Sequence, residues 1–109
     1  MPRDTEIEDG DLVISKRGKG IKISEGSNCP TGTGTLVAGV LLVANTLVTA
    51  NSRIFLQSKV LGTVTSPKTL GVTARVAGTS FTVTSADATD TSTFDYMIIN
   101  QPQGVMGTT

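Results

Sequence analysis

Residues 78 to 93, Gly-Thr-Ser-Phe-Thr-Val-Thr-Ser-Ala-Asp-Ala-Thr-Asp-Thr-Ser-Thr, constrain the fold more than any other stretch. Phe81 and Val83 alternate with Thr82 and Thr84, the period of a strand with one buried face, and the chain then enters a hydroxyl-rich turn. The same alternation just upstream puts Val72, Ala74 and Val76 on one face and Thr73 and Arg75 on the other. Ala77-Gly78-Thr79-Ser80 between the two runs predicts a β-hairpin. No segment sustains a 3.6-residue apolar period, so helices are not expected.

Further strands are predicted at residues 35–43, 47–50, 52–58 and 94–100, with turn signals at most junctions. Short strands at this spacing define an all-β chain, a jelly roll or β-sandwich. Residues 1–11 lack periodicity and read as an extended arm. Leu12-Val13-Ile14 and Ile21-Lys22-Ile23, joined through Gly18 and Gly20, suit a small hairpin. The predicted organisation is an N-terminal arm and short β segment over 1–23, a loop over 24–34, a sandwich domain over 35–103 and a tail over 104–109.

A chain of 109 residues with four aromatics, Phe55, Phe81, Phe94 and Tyr96, builds a thin core, for which burial between subunits is the remedy. Charges are sorted along the chain. Asp4, Glu6, Glu8, Asp9 and Asp11 crowd the start, while residues 12–86 carry eight bases against Glu25, a net +7. The acidic group is therefore the candidate anchoring arm, docking on a basic neighbour. Arg53, Phe55, Arg75 and Tyr96 on the predicted strands are the candidate interface residues.

Catalytic and cofactor chemistry finds little to work with. With no His, no Ser or Thr has the usual activating base, and the lone Cys29 has no second Cys for a disulfide or a metal. Cys29 reads as a small, partly buried thiol. Asp90-Thr91-Ser92 resembles the motif of dimeric aspartic proteases, but Ser85-Ala86-Asp87-Ala88-Thr89 precedes it in place of an apolar strand. Asp90 is instead expected in a solvated turn, where Asp90→Asn is silent apart from local turn stability. Gly18-Lys19-Gly20 and Gly32-Thr33-Gly34 complete no phosphate-loop pattern and read as turns. Asp87, Asp90 and Asp95 suggest a calcium loop only faintly. Scattered bases without interleaved aromatics argue against nucleic acid. The longest apolar run, residues 36–44, falls well short of the ~20 residues that cross a bilayer, and no signal region opens the chain, so a soluble product is expected.

From Gly20 to Asn100 the chain resembles a small structural module of tailed-bacteriophage virions, found alone or at the C-terminal end of fibre and head-associated proteins. The blocks that carry the resemblance are residues 22–29, 34–39, 48–56 and 74–85, the last continuing through 88–93. The chain departs from that pattern at Pro30-Thr31-Gly32 and Phe94-Asp95-Tyr96, so details near Cys29 and Tyr96 are not carried over. The resemblance implies a virion structural protein without enzymatic activity or cofactor, made in the bacterial host cytoplasm and carried on the particle surface. The expected form is a homotrimeric capsid cement or head-decoration protein bound to the major capsid protein or another virion protein. A fibre-tip or receptor-binding module that recognises a host glycan or protein is the alternative. The short arm, with no long shaft, favours decoration.

Overall fold

A computed structural model describes residues 9–101. Asp4, Glu6 and Glu8 of the predicted anchoring arm and the predicted 104–109 tail lie outside the described residues. Six strands form: β1 (Thr31–Thr35), β2 (Val40–Ala44), β3 (Arg53–Val60), β4 (Leu70–Val76), β5 (Ser80–Ser85) and β6 (Thr93–Ile99). They make two three-stranded antiparallel sheets, ordered β1-β6-β3 and β2-β5-β4. The fold is all-β, a β-sandwich, and no helix occurs among the described residues.

The inner faces follow the two-residue period. Phe94, Tyr96 and Ile98 of β6 meet Phe81 and Val83 of β5, with Leu36 and Val48 closing the cluster. Leu41, Val43, Ile54, Leu56, Leu70 and Val72 pack around it. Phe81 and Tyr96 lie on the central strands of opposite sheets, with ring centroids 5.1 Å apart at 75°, an edge-to-face contact. Room for these rings comes from β1. A Cβ on Gly32 would stand 2.5 Å from the Tyr96 hydroxyl, and one on Gly34 would stand 2.5 Å from Leu41 Cδ2 and 2.9 Å from Phe94 Cζ. The Gly-Thr-Gly run is therefore a strand whose glycines lie under aromatic rings, not the loop its composition indicates.

The predicted 35–43 strand is broken in two. Ala38 (φ 51°) and Gly39 (φ 79°) are both left-handed, and the Val37 and Val40 amides each donate to the other residue's carbonyl, at 2.9 and 3.1 Å. This is a two-residue turn of the kind that joins hairpin strands. It carries the chain from one sheet to the other. Residues 47–50 are turn rather than strand, though Val48 is fully buried. In β4 a bulge between Val72 and Ala74 reverses the alternation. Val72 pairs with Val83 inside, whereas Ala74 and Val76 turn outward and Arg75 comes opposite Phe81. The β4–β5 hairpin forms as predicted, closed by Thr79 N to Val76 O at 3.0 Å.

Residues 9–23 contain no strand. The expected hairpin between Leu12–Ile14 and Ile21–Ile23 is reduced to one turn, Lys19 N to Lys16 O at 3.1 Å, and all five aliphatic side chains are exposed. The charge sorting also changes meaning. Lys16, Arg17, Lys19 and Lys22 lie in this extended segment, while residues 24–101 hold four bases and four acids. The sandwich itself is electrically balanced.

Adjacent residues of the β1–β2 turn respond oppositely to substitution. Gly39→Ala is expected to lower the unfolding free energy by more than about 2 kcal/mol. The left-handed backbone alone costs a side chain roughly 1–2 kcal/mol, and the new Cβ would stand 2.6 Å from the Asp87 carbonyl oxygen. Ala38→Gly is expected to stay within about 0.5 kcal/mol of wild type, because relief of the left-handed penalty offsets the entropy glycine loses on folding. Urea denaturation of both variants is the check.

Candidate functional site

Two carboxylate-bearing regions stand out, and the structure assigns them different work. The Asp-Thr-Ser tripeptide lies between β5 and β6, where Asp90 is 1% exposed rather than solvated. Its Oδ2 accepts from the Ser85 hydroxyl at 2.7 Å and its Oδ1 from the Ser92 amide at 2.8 Å. Its carbonyl accepts from the Gly39 amide at 2.9 Å, which ties the loop to the β1–β2 turn. Burial opposes the charge on Asp90, but hydrogen bonds from Ser92 and Ser85, helped by Lys68, outweigh it and hold the carboxyl below its ordinary value. Asp87, three residues earlier, is half-buried and accepts from the Thr89 hydroxyl at 2.7 Å and the Thr89 amide at 2.8 Å, which lowers its carboxyl as well. Both oxygens of Asp90 are committed to holding the loop. Among the described residues no three potential metal ligands come together.

Asp95 is placed quite differently, at the centre of the outer face of the β1-β6-β3 sheet. Because Phe94, Tyr96 and Ile98 point inward, Thr93, Asp95 and Met97 point out. Register sets Asp95 between Thr33 and Gln57, and Met97 between Thr31 and Phe55. The Thr33 hydroxyl donates to Asp95 Oδ1 at 2.8 Å, and Lys59 Nζ stands 3.6 Å from the same oxygen. That ion pair is about half exposed on each side and adds little stability. Oδ2 carries no protein hydrogen bond among the described residues. On one side a shallow depression of about 200 Å³ runs over Phe55, Gln57, Asp95 and Met97. On the other, one of about 240 Å³ runs over Glu25, Thr31, Lys59 and Asp95. Phe55 is 52% exposed, an aromatic left standing beside donors and acceptors fixed on strands.

The four candidate interface residues separate. Arg53 and Phe55 sit together on this outer face, two residues apart on β3, and Arg53 has no ion-pair partner among the described residues. Arg75 donates from Nε to the Ser52 carbonyl at 2.9 Å, joining β4 to the turn that leads into β3. Tyr96 lies in the core, 6% exposed in the single chain, with its hydroxyl 3.4 Å from Asn45 Nδ2. Asp9 and Asp11 are exposed. Cys29 is half-buried with a free thiol, and its carbonyl accepts from Asn45 Nδ2 at 2.9 Å. Sequence reasoning missed Gln57, Asp95 and Met97 as partners of Phe55. Their signal is the outward phase of strands whose inward phase was already legible.

A six-stranded sandwich with its buried acid used structurally and a mixed aromatic and polar sheet face turned to solvent defines a β-structured surface module. The chain belongs to the family of the K1 capsule-specific polysaccharide lyase C-terminal domain, whose family model matches residues 28–99. No match among curated proteins accompanies it. The family fits a phage virion structural module in coarse outline and brings no link to capsid decoration.

Asp90→Asn is expected to destabilise the domain by about 1–3 kcal/mol at neutral pH, the usual cost of leaving buried donors short of an acceptor. The deficit has a definite pH dependence. A carboxyl whose folded value lies below its unfolded value contributes fully above the unfolded value and loses that contribution as pH falls through the folded one. The gap between wild type and variant should therefore close below about pH 4. Unfolding curves at several pH values test this, and a pH-independent gap would show that the charge is not what the loop uses.

Proposed function

We propose that the chain is a structural and surface-recognition module of a phage tail spike or fibre, carried on the virion surface as a homotrimer and without catalytic activity of its own. The family match over residues 28–99 carries this reading, because the family is named for the C-terminal domain of a polysaccharide lyase. A capsid cement role draws nothing from that family, so the receptor-binding alternative moves ahead of it. The outer face of the β1-β6-β3 sheet is what the module presents to a host glycan or protein. Phe55 supplies flat apolar area, Met97 a shelf beside it, and Gln57, Asp95 and Arg53 the directed polar and charged contacts.

The opposite outer face, of the β2-β5-β4 sheet, suits subunit contact instead. Val40, Leu42, Ala44, Ala74 and Val76 share it with Ser80, Thr82 and Thr84, and no charged residue falls on it. Leu42 is 63% and Val76 53% exposed in the single chain. Depletion of charge with exposed aliphatics marks the core of an interface.

Immunogold labelling of the intact particle decides the position: label at the tail is expected, and label over the head shell would return the protein to decoration. If the Phe55 face meets the host, Phe55→Ala should weaken adsorption of the purified protein to host cells about 30-fold, the size of a lost aromatic anchor worth ~2 kcal/mol. Its circular dichroism should be unchanged, because Phe55 is outside the core. Unaltered adsorption would remove this face from recognition.

A further inference from the structure

Each sandwich edge exposes backbone donors and acceptors that attract another strand, and proteins ordinarily blunt such edges with charge, proline, bulges or cover. Three of the four edges here are blunted. β3 carries Arg53 and Lys59 and a bulge between Ser58 and Val60. β4 carries Arg75 and the bulge between Val72 and Ala74. β1 begins under a parallel bridge from Glu25, with Gly26 N bonded to the Thr31 carbonyl at 3.0 Å. β2 has cover only at its first residue. On its outer side the Val37 turn pairs Val40 alone, and from Leu42 to Ala44 nothing among the described residues pairs with it except β5; it is regular along its length and reads Val-Leu-Leu-Val-Ala with no charge or proline.

The same chain holds a segment with the opposite need. Residues 11–15, Asp-Leu-Val-Ile-Ser, belong to no strand, and their amides and carbonyls make no backbone hydrogen bond among the described residues. Leu12, Val13 and Ile14 are 69%, 71% and 44% exposed. Buried backbone groups are almost always paired, so an aliphatic β-prone segment that buries its side chains must find a ladder when it does so. Residues 16–23 follow, eight residues that span up to roughly 26–29 Å when extended, long enough to cross to a neighbouring molecule.

The geometry points to strand exchange between copies: Asp11–Ser15 of one chain adds to the free edge of β2 in a second copy, extending its sheet to four strands. Both halves of the contact are present in every chain, so each copy gives one arm and receives another. Such a head-to-tail contact closes into a ring when the rotation permits, which suits the homotrimer proposed above. Main-chain hydrogen bonds along the ladder supply the pairing, as in other strand additions. Leu12 and Ile14, on one side of the added strand, extend one face of the sheet, and Val13 extends the other. The inference does not depend on where the protein sits in the particle, and its failure would leave the spike or fibre reading in place.

Two substitutions in the full-length chain test it. Val13→Pro removes a ladder donor from an exposed segment that makes no backbone hydrogen bond among the described residues, and Leu42→Lys places a charge on the β2 edge at a side chain already exposed. Sedimentation should show wild type associating and both variants associating at least 10-fold more weakly, with circular dichroism unchanged. Because Val13 lies outside the folded domain, that variant stays informative if Leu42→Lys destabilises the sandwich. Amide exchange gives the second readout. The β2 amides that point away from β5 beyond Val40, those of Leu42 and Ala44, should be protected in wild type, increasingly so with protein concentration, and unprotected in Val13→Pro. A wild type that stays monomeric to about 1 mM, association that both variants retain in full, or edge protection independent of concentration, as when a chain covers its own β2, would each overturn the proposal.

Discussion

The edge-to-face contact between Phe81 and Tyr96 is what the rest of the sandwich is arranged around. These rings sit on the central strands of opposite sheets and are the one aromatic pair spanning the sandwich among the described residues. A chain this short buries little, and an aromatic pair contributes about 0.5–1.5 kcal/mol beyond the area it hides, so much else is arranged around it. Gly32 gives the Tyr96 ring its space, and Asn45 lies within hydrogen-bonding distance of its hydroxyl. Phe94, two residues before Tyr96, makes the same demand on Gly34. The two glycines of β1 are thus consequences of ring placement on β6.

Where apolar area runs out, buried polar side chains take over, one at each end of β2. Beyond its C-terminal end, Asn45 is 1% exposed and makes contacts in several directions. Its Nδ2 donates to the Cys29 carbonyl, its Oδ1 accepts from the Leu47 amide at 2.9 Å, and its own amide reaches the Thr79 carbonyl of the β4–β5 hairpin. Before its N-terminal end, Gly39 is bonded to Asp90 and Ser85. Networks of this kind are worth having only when complete, since a buried group that loses its partner costs about 1–3 kcal/mol. The strand whose outer side is open at Leu42 and Ala44 is therefore held at both ends. A rigid edge pays less entropy to receive a partner than a frayed one.

Local chemistry made part of this legible in the sequence. The alternation of Phe81 and Val83 with threonines forms a strand because it can bury one face, and Gly78 marks the hairpin before it. What escaped was set by distant residues. The strand character of Gly-Thr-Gly depends on rings sixty or more residues away, and the outward turn of Ala74 and Val76 depends on a bulge that no residue type announces. Asp90 reads as a surface acid because its partners, Ser85 and Ser92, look like turn residues, and only folding shows that they enclose it. On the candidate site, Arg53 and Phe55 were singled out, whereas Asp95 and Gln57 become their neighbours only through the β3–β6 register.

The two outer faces carry the functional argument because they differ although built from the same strand repeat. Charges, an aromatic and an amide gather on the β1-β6-β3 face, while the β2-β5-β4 face holds only aliphatic, glycine and hydroxyl residues. Desolvating a charge is costly, so the charged face is the poorer candidate for permanent burial and the better one for reversible contact with a hydrated, polyhydroxylated partner. The uncharged face has the opposite preference and borders the free β2 edge. Copies that associate through that edge and its aliphatic flank leave Phe55, Gln57 and Asp95 on the far side of each sandwich, turned away from the contact. In such an assembly the recognition surface is repeated once per copy. A contact too weak to hold alone then gains strength from the number presented together.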